Sequence, residues 1–285
     1  MKAIYSFILL FVLAVAGTSQ APSQNTLDKQ PSYRANYQFR ALAEIGFLGV
    51  AAHSIQLGQN TTNFDYVKQG GQSTLFPTSR LSLEVDWKSR NTIIFLYQPL
   101  RLETEVVTRE DILIDDVLFT EGTNLNLLYN FPFYRLSYLR HLRFKNERFS
   151  LAVGGTLQIR NTTIAFESAN GEQRKITRNV GPVPALKVKG TFQQNRVLSL
   201  EFEIDGMYAP VSYLNGSDTE IIGSILDASI RQRLSITDEV DTFLNLRYLG
   251  GGAVGTSNDT SEVTDGFTEN WLNTYTVTTG FSYEF

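Results

Sequence analysis

Most of the chain repeats one unit, a segment in which apolar and polar residues alternate strictly, followed by a polar break. The segment "LSLEVDWK" (81–88) shows the pattern: its leucines, valine and tryptophan occupy odd positions, and its serine, acids and lysine occupy even ones. Side chains of a β-strand point alternately to the two faces of a sheet. Each segment therefore predicts a strand with one apolar face and one polar, charged face.

Counting the segments between breaks predicts ten strands, at residues 36–57, 73–88, 91–107, 122–142, 148–166, 175–192, 197–212, 221–236, 240–255 and 271–285. Pro132 lies inside the fourth segment, and a turn there would raise the number to twelve. At Pro99 the apolar positions change from Phe95 and Tyr97 to Leu100 and Leu102, which predicts a β-bulge.

The breaks alternate between short and long. Short polar turns fall at 88–91, 145–148, 193–196 and 237–240, and long polar loops fall at roughly 58–72, 108–121, 167–174, 213–220 and 256–270. Short periplasmic turns and long extracellular loops are typical of outer-membrane barrels. The sequence thus predicts an all-β fold, a single antiparallel up-and-down transmembrane β-barrel.

A soluble β-sandwich is the alternative fold. Its strands also alternate apolar and polar residues, because one face of each sheet is buried against a second sheet. Such a sandwich does not need so dense a polar and charged face opposite the apolar one. It would also rarely end on an apolar, aromatic edge strand, since exposed edges of that kind promote aggregation. Both features favour the barrel.

The first residues have the composition of an export signal. Lys2 precedes the apolar stretch "AIYSFILLFVLAVAG", which is followed by the small residues Gly17, Thr18 and Ser19. A basic N-terminal region, a short apolar stretch and small residues after it are typical of a secretory signal peptide. We expect a signal peptide over 1–19, a polar periplasmic lead-in over 20–35 and an outer-membrane barrel over 36–285.

The final segment, "TYTVTTGFSYEF", carries a resemblance to a known class. It resembles the last strand of bacterial outer-membrane β-barrel proteins, in which apolar residues occupy alternate places before a terminal aromatic residue. Val277, Phe281, Tyr283 and Phe285 match those places. The resemblance implies an outer-membrane location, recognition by the barrel-assembly machinery, and contact with outer-membrane lipid and lipopolysaccharide. It implies no particular activity.

Composition narrows the possible chemistry further. The chain has no Cys, only two His, and a formal net charge of −4 at pH 7. The absence of Cys excludes disulfides and thiolate metal sites. The negative net charge does not indicate a basic surface for binding nucleic acid. We expect neither a cofactor nor a metal site.

The polar faces of the strands are predicted to line the lumen of the barrel. A barrel of about eight strands is just filled by side chains, whereas aqueous channels need about sixteen. We therefore expect the lumenal charges to pair and fill the interior, and a narrow path for ions or small solutes is the alternative. The predicted charge network consists of Arg40, Glu44, Glu84, Asp86, Arg135, Arg160, Lys187, Lys189, Glu201, Glu203, Asp227, Arg231, Arg233 and Arg247.

One hairpin of this network allows a register to be predicted. Inward residues must pair with inward residues, because a slip of one place would put charges in hydrocarbon. Lys187 is accordingly expected opposite Glu201 or Glu203, and Lys189 opposite Ser199 or Glu201.

The catalytic groups of known outer-membrane enzymes have only partial counterparts in this sequence. Omptin-like proteases use an Asp pair opposite an Asp–His pair, and Asp115–Asp116 offers the first pair, but His53 has no adjacent Asp. His53 and Ser54 are neighbours and point to opposite faces, so they do not supply the His and Ser of a lipid A deacylase. His53 is expected to be a loop or interface residue. The expected function is a structural or surface-interaction role, with a channel as the alternative and a hydrolase or acyltransferase as the third possibility.

Overall fold

The computed structural model describes residues 37–88, 90–144, 148–210, 220–256 and 265–285, with only the backbone at 209, 210 and 220. The predicted signal peptide and lead-in lie outside these residues. No helix in the described part of the chain is long and apolar enough to cross a membrane. The strands are β1 (Tyr37–Leu57), β2 (Phe64–Asp65), β3 (Leu75–Trp87), β4 (Asn91–Gln98), β5 (Arg101–Val107), β6 (Ile112–Ile114), β7 (Val117–Phe119), β8 (Asn124–Asn130), β9 (Phe133–His141), β10 (Phe149–Ser168), β11 (Arg174–Gln193), β12 (Leu198–Pro210), β13 (Glu220–Ser235), β14 (Val240–Thr256) and β15 (Phe267–Glu284).

Antiparallel pairing closes these strands into one ring. Each wall strand pairs with its neighbours in the chain, and β15 pairs with β1 to complete the circle. In the wall, β4 continues into β5 and β8 continues into β9, so the barrel has ten strands. The predicted fold is confirmed: an all-β, closed, antiparallel barrel of ten strands.

The prolines that complicate the strand count do not make turns. Gln98 lies opposite Phe133, and Arg101 lies opposite Asn130. Between these two pairs, residues 99–100 on one strand face residues 131–132 on the other, so both strands have the same number of residues there. The alternative of twelve strands is therefore wrong. The bulge predicted at Pro99 is also wrong, because no extra residue is inserted on either side. Proline lacks an N–H group and interrupts the ladder without shifting its register.

The outside of the barrel is apolar over a broad band. Ile45 is 67 % exposed and Leu186 is 76 % exposed, as suits side chains that face hydrocarbon. We define the membrane-facing belt as this band between two rows of outward aromatic residues. The row at the short-turn end contains Tyr37, Phe39, Tyr138, Phe192, Tyr283 and Phe285, and the row at the long-loop end contains Tyr97, Tyr134, Tyr208, Tyr248 and Tyr275.

Above the belt, at the long-loop end, the inner face of the barrel wall becomes apolar and the outer face becomes polar. Leu100 and Leu102 on the β4–β5 wall are buried inside, whereas Arg101 and Glu103 point outward with side chains 57 % and 56 % exposed. The strand does not rotate there; the solvent around it changes from lipid to water. This change explains the shift in apolar positions near Pro99 that the sequence shows.

A β-bulge in β1 reverses which side chains point into the barrel at the end of that strand. The pairing with β15 shifts register between Val50 and Ala52. Before the bulge the inward residues have even numbers, such as Leu48; after it they have odd numbers, and His53 and Ile55 become fully buried. One extra residue in one strand reverses the faces beyond it. The bulge therefore places His53 inside the barrel.

Candidate functional site: a charge-filled lumen beneath an apolar cap

Charged side chains from eight wall strands meet inside the belt and form one connected network of ion pairs. The cations are Arg40, Arg80, Arg135, Lys187, Lys189, Arg231, Arg233 and Arg247. The carboxylates are Glu44, Glu84, Glu201, Glu203, Asp205, Asp227, Asp241 and Glu284. The eight cations balance the eight carboxylates, so the network is formally neutral.

Strand β12 supplies a row of three inward acids, Glu201, Glu203 and Asp205. Lys187 on β11 donates to Glu203 at 2.7 Å and to Asp205 at 2.8 Å. Its direct cross-strand partner is Asp205, and that of Lys189 is Glu203. Both predicted registers are therefore wrong, the nearer one by two residues. A slip of two keeps every side chain on its face, so the hydrophobic pattern does not distinguish the two registers.

Several ion pairs cross the lumen between walls that are not adjacent. Lys189 on β11 donates to Glu84 on β3 at 2.5 Å. Arg231 on β13 lies 3.4 Å from Glu44 on β1. Arg135 on β9 donates to Asp227 on β13. These contacts fill the centre of the barrel with side chains.

Neutral polar groups complete the coordination of the charges. Glu44 accepts hydrogen bonds from Thr278 at 2.6 Å and from Asn245 at 3.0 Å. Asp205 accepts one from Thr156 at 2.6 Å, and Arg135 donates from Nε to Gln158 at 2.6 Å. Buried charges are tolerated only when they are paired and hydrogen-bonded, and this interior meets that requirement at its carboxylates.

Most of the predicted network residues come together, and two lie apart. Asp86 is half-buried near the short-turn end, beside Thr92 and 3.9 Å from His141. Arg160 lies on β10 near the long-loop edge of the belt, and it donates to Asn179 at 2.8 Å. In the described residues no carboxylate lies within ion-pair distance of Arg160. The remaining predicted residues all belong to the connected network.

Arg80 is the cation that the sequence analysis missed. It lies 3.4 Å from Glu44 and 4.0 Å from Glu203, and it is almost fully buried. Its even number places it on the same face of β3 as Glu84 and Asp86. Extending the alternation of that segment by one residue toward the N-terminus finds it.

An apolar cap fills the barrel above this network. The first long loop (58–74) and the loop between β5 and β8 (108–123) both fold into the mouth of the barrel. The backbone N–H of Thr62 donates to the carbonyl of Leu113 at 2.9 Å, and that of Asp115 donates to Leu57 at 2.9 Å. Buried members of the cap include Leu57, Phe64, Tyr66, Leu102, Ile114, Phe119, Leu125 and Phe166.

His53 lies within the cap, which corrects its expected place in a loop or interface. Its Nδ1 lies 2.7 Å from Oε1 of Gln72, so Nδ1 carries the proton. Its ring stacks on Tyr66 with centroids 4.2 Å apart and meets the edge of Tyr129 at 4.3 Å. His53 lies beyond the belt, and burial lowers the pKa of its imidazole to about 4. The ring is neutral at neutral pH.

The candidate catalytic groups are held by other partners. The carboxylates of Asp115 and Asp116 both accept hydrogen bonds from Lys175, at 3.0 Å in the case of Asp116. His53 is oriented by an amide, Gln72, where a catalytic imidazole is commonly oriented by a carboxylate. The geometry at His53 is that of a packed aromatic cluster.

Comparison with known proteins finds similarity among solved structures only. No family model matches the chain, and no curated protein matches it. Solved structures of bacterial outer-membrane proteins do match. The outer membrane protease OmpT from Escherichia coli matches at 10 % identity over 87 % of this chain and 97 % of its own, with a TM-score of 0.48.

Two further matches have similar coverage and lower scores. Neisserial surface protein A matches at 8 % identity over 88 % of this chain and 98 % of its own, with a TM-score of 0.31. The attachment invasion locus protein Ail of Yersinia pestis matches at 13 % identity over 87 % of this chain and 99 % of its own, with a TM-score of 0.33. These likenesses concern architecture alone. The closed ring, the apolar outside and the charged inside are those of an outer-membrane β-barrel with a buried charge network.

Proposed function

We propose that this protein is a non-conducting outer-membrane barrel with a structural or surface-interaction role. The single observation that carries the proposal is the network of ion pairs that crosses the lumen. Glu201 and Arg231 are almost fully buried at its centre. A path for ions or solutes requires water along the lumen, and the described side chains occupy that space.

The cap supports the same role at the long-loop end. Its two loops are hydrogen-bonded to each other and packed on apolar wall residues, so the described loops of this end form a packed platform. In the orientation usual for outer-membrane barrels this platform faces the outside of the cell, where lipopolysaccharide is the neighbouring lipid. We propose export by the N-terminal signal, and insertion by the barrel-assembly machinery through Val277, Phe281, Tyr283 and Phe285. We assign the chain no catalytic role.

Conductance in planar lipid bilayers tests the proposal. The refolded wild-type protein should give no current steps in concentrated potassium chloride. A variant in which residues 59–73 are replaced by a short Gly–Ser linker should also give none, because the charge network lies below the cap. Current from the wild type would establish the channel alternative. Current from the loop variant alone would show that the cap, and not the network, closes the barrel.

Fractionation and gel mobility test the location. The mature protein should appear with the outer membrane and should migrate faster on gels when unheated than when boiled, because a closed barrel resists the detergent. Recovery in the soluble periplasmic fraction would contradict the proposed location.

A further inference from the structure

In the described strands, one charged residue points outward within the belt or at its short-turn edge. Arg140 on β9 is exposed, and it follows the buried, inward Leu139. The other outward charges of the described strands all lie above the belt, and they are Arg101, Glu103, Glu105, Glu167, Arg174, Arg178 and Glu269. A charge that faces lipid is unfavourable unless water or an ionic partner meets it. Arg140 therefore marks a place where something other than hydrocarbon meets the wall.

A buried amide holds the side chain of Arg140 in place. Asn91 on β4 lies directly opposite Arg140 and is 7 % exposed. Its Oδ1 accepts hydrogen bonds from Nη1 of Arg140 and from the phenol of Tyr138, both at 3.1 Å. Its Nδ2 donates to the carbonyl of Trp87 at 3.3 Å. The amide thus fixes the guanidinium beside the phenol, whereas an arginine that only extended into water would need no such support.

The surroundings of Arg140 are those of a lipid headgroup region. The rings of Trp87 and Tyr138 pack with centroids 5.9 Å apart, and aromatic side chains of this kind lie at headgroup level in membrane proteins. On the other side of Arg140, β10 places the apolar Val153 opposite it. In the described residues no carboxylate lies within ion-pair distance of Arg140. Its positive charge is therefore not balanced by the described part of the protein.

The strand register shows which residues lie above Arg140 along the membrane normal. The paired residues can be followed once round the ring from Tyr37, through Arg140, to Gly49, which lies twelve residues further along β1. A stagger of this size over ten strands tilts each strand by about 40°. The next outward residue above Arg140 is therefore on the following strand. It is Gly155 on β10, about 8 Å away, and Pro184 on β11 comes after it.

Gly155 opens a shallow apolar groove directly above the guanidinium. Apart from its neighbours in the chain, a Cβ atom at this position would meet only the carbonyl oxygen of Ala185, at 3.7 Å. Tyr138 lies opposite Gly155 on one side and Leu186 lies opposite it on the other, and these side chains are 45 % and 76 % exposed. The aromatic ring and the leucine thus stand on either side of a position without a side chain. A hydrocarbon chain fits between them.

We propose that this site binds an anionic phospholipid of the leaflet at the short-turn end, with its phosphate at Arg140 and one acyl chain over Gly155. The guanidinium offers the phosphate a positive charge and the N–H groups that Asn91 does not use. The path from Arg140 to Pro184 is about 16 Å long, about half of the ~30 Å hydrocarbon core and so the depth of one leaflet. The site requires only that the belt lies in a bilayer, and it does not depend on whether the lumen conducts.

Native mass spectrometry of the full barrel in detergent, titrated with phosphatidylglycerol, tests the proposal. The wild type should retain one lipid per barrel in a saturable manner. The Arg140→Gln variant should bind about tenfold more weakly or worse, because the charge-assisted hydrogen bonds to the phosphate are lost. Gly155→Leu places a side chain in the path of the acyl chain and should weaken binding to a similar extent. Unchanged binding by either variant would overturn the proposal.

The matched controls are Arg101→Gln and Ala228→Leu. Arg101 is an exposed, outward arginine above the belt. Ala228 is an outward small residue on β13, three strands away from β10. Both controls should bind the lipid as the wild type does. A loss in the controls equal to that in Arg140→Gln and Gly155→Leu would mean that the lipid has no defined site, and would also overturn the proposal.

Ligand analogues separate the headgroup from the chain in the wild type, whatever the folding yield of a variant. Diacylglycerol with the same acyl chains lacks the phosphate and should bind about tenfold more weakly than phosphatidylglycerol. Inorganic phosphate lacks the chains and should not displace the lipid. Equal binding of the two lipids would mean that the groove takes hydrocarbon without regard to charge. Displacement by phosphate would mean a small-anion site, and either result would overturn the proposal.

Discussion

Lys189 on β11 reaches across the barrel to Glu84 on β3, with Nζ 2.5 Å from a carboxylate oxygen. The two strands are separated by three wall strands on one side of the ring and five on the other. A lysine that spans this distance places its side chain in the middle of the lumen. The contact joins the acidic strand β12, through Glu201 and Glu203, to the opposite wall.

Removing the acids at the centre of the network should destabilise the barrel. Glu201→Gln with Glu203→Gln keeps the shape of both side chains and leaves Lys187, Lys189 and Arg231 short of partners. Breaking a buried ion pair by removing one partner costs about 3–5 kcal/mol. We expect the unheated, fast-migrating form to be lost at a clearly lower temperature on gels. The exposed control Glu103→Gln should change that temperature little, because surface ion pairs contribute about 0–1 kcal/mol. Equal melting of the double variant and the wild type would contradict a stabilising network.

Acid should loosen the cap through His53. Its pKa in the folded barrel is about 4, below the ordinary value of 6.5, because burial disfavours the charged imidazole. The unfolded cap therefore binds the proton more readily, so stability is fully present above pH 6.5 and is lost as the pH falls toward 4. The difference corresponds to about 3 kcal/mol. Limited proteolysis of the loop at 58–74 should accelerate across this range.

The His53→Gln variant supplies the control for that measurement. An amide does not titrate, so the pH dependence of cleavage between pH 6.5 and 4 should largely disappear, even if cleavage at pH 7 is faster than in the wild type. Retention of the full dependence in His53→Gln would assign the effect to another group.

The end of β15 should be important for insertion. Phe285 is 62 % exposed on the lipid-facing side, stacks on Phe39 with centroids 5.7 Å apart, and exchanges backbone hydrogen bonds with it. Glu284 points inward and pairs with Arg40. We expect Phe285→Asp to reduce the amount of heat-modifiable barrel in membranes far more than Glu284→Ala does. Similar losses in the two variants would contradict the assignment of faces.

The exchange of faces above the belt can be tested at two neighbouring residues. Leu102 is buried in the cap and Glu103 is exposed. Leu102→Ala should cost about 2–5 kcal/mol, as expected for a buried leucine, and should speed proteolysis of the loop at 108–123. Glu103→Ala should stay within about 0.5 kcal/mol of the wild type. The opposite order of effects would mean that Leu102 faces lipid.

Much of the architecture follows from alternation alone. A residue on a strand must face lipid or lumen, and the cost of a charge in hydrocarbon determines which. The sequence therefore predicts ten strands, the apolar outside and most members of the charge network. It also provides the signal for Arg80, which shares the parity of Glu84.

The sequence does not determine which charges meet. Lys187 lies opposite Asp205 and not opposite Glu201 or Glu203, because a slip of two residues preserves every face and is decided by the whole ladder. Partners across the lumen, such as Arg135 and Asp227, are far apart in the chain and become neighbours only when the ring closes.

Alternation by itself established that this chain builds a barrel with an apolar outside and a charged inside. Only the tertiary structure decided two other features: the bulge at Val50–Ala52 that turns His53 inward, and the folding of two polar loops into an apolar cap. Each depends on what surrounds a segment in the folded barrel. A local sequence pattern records the two faces of a strand, but it does not record whether a face meets lipid, water or another part of the chain.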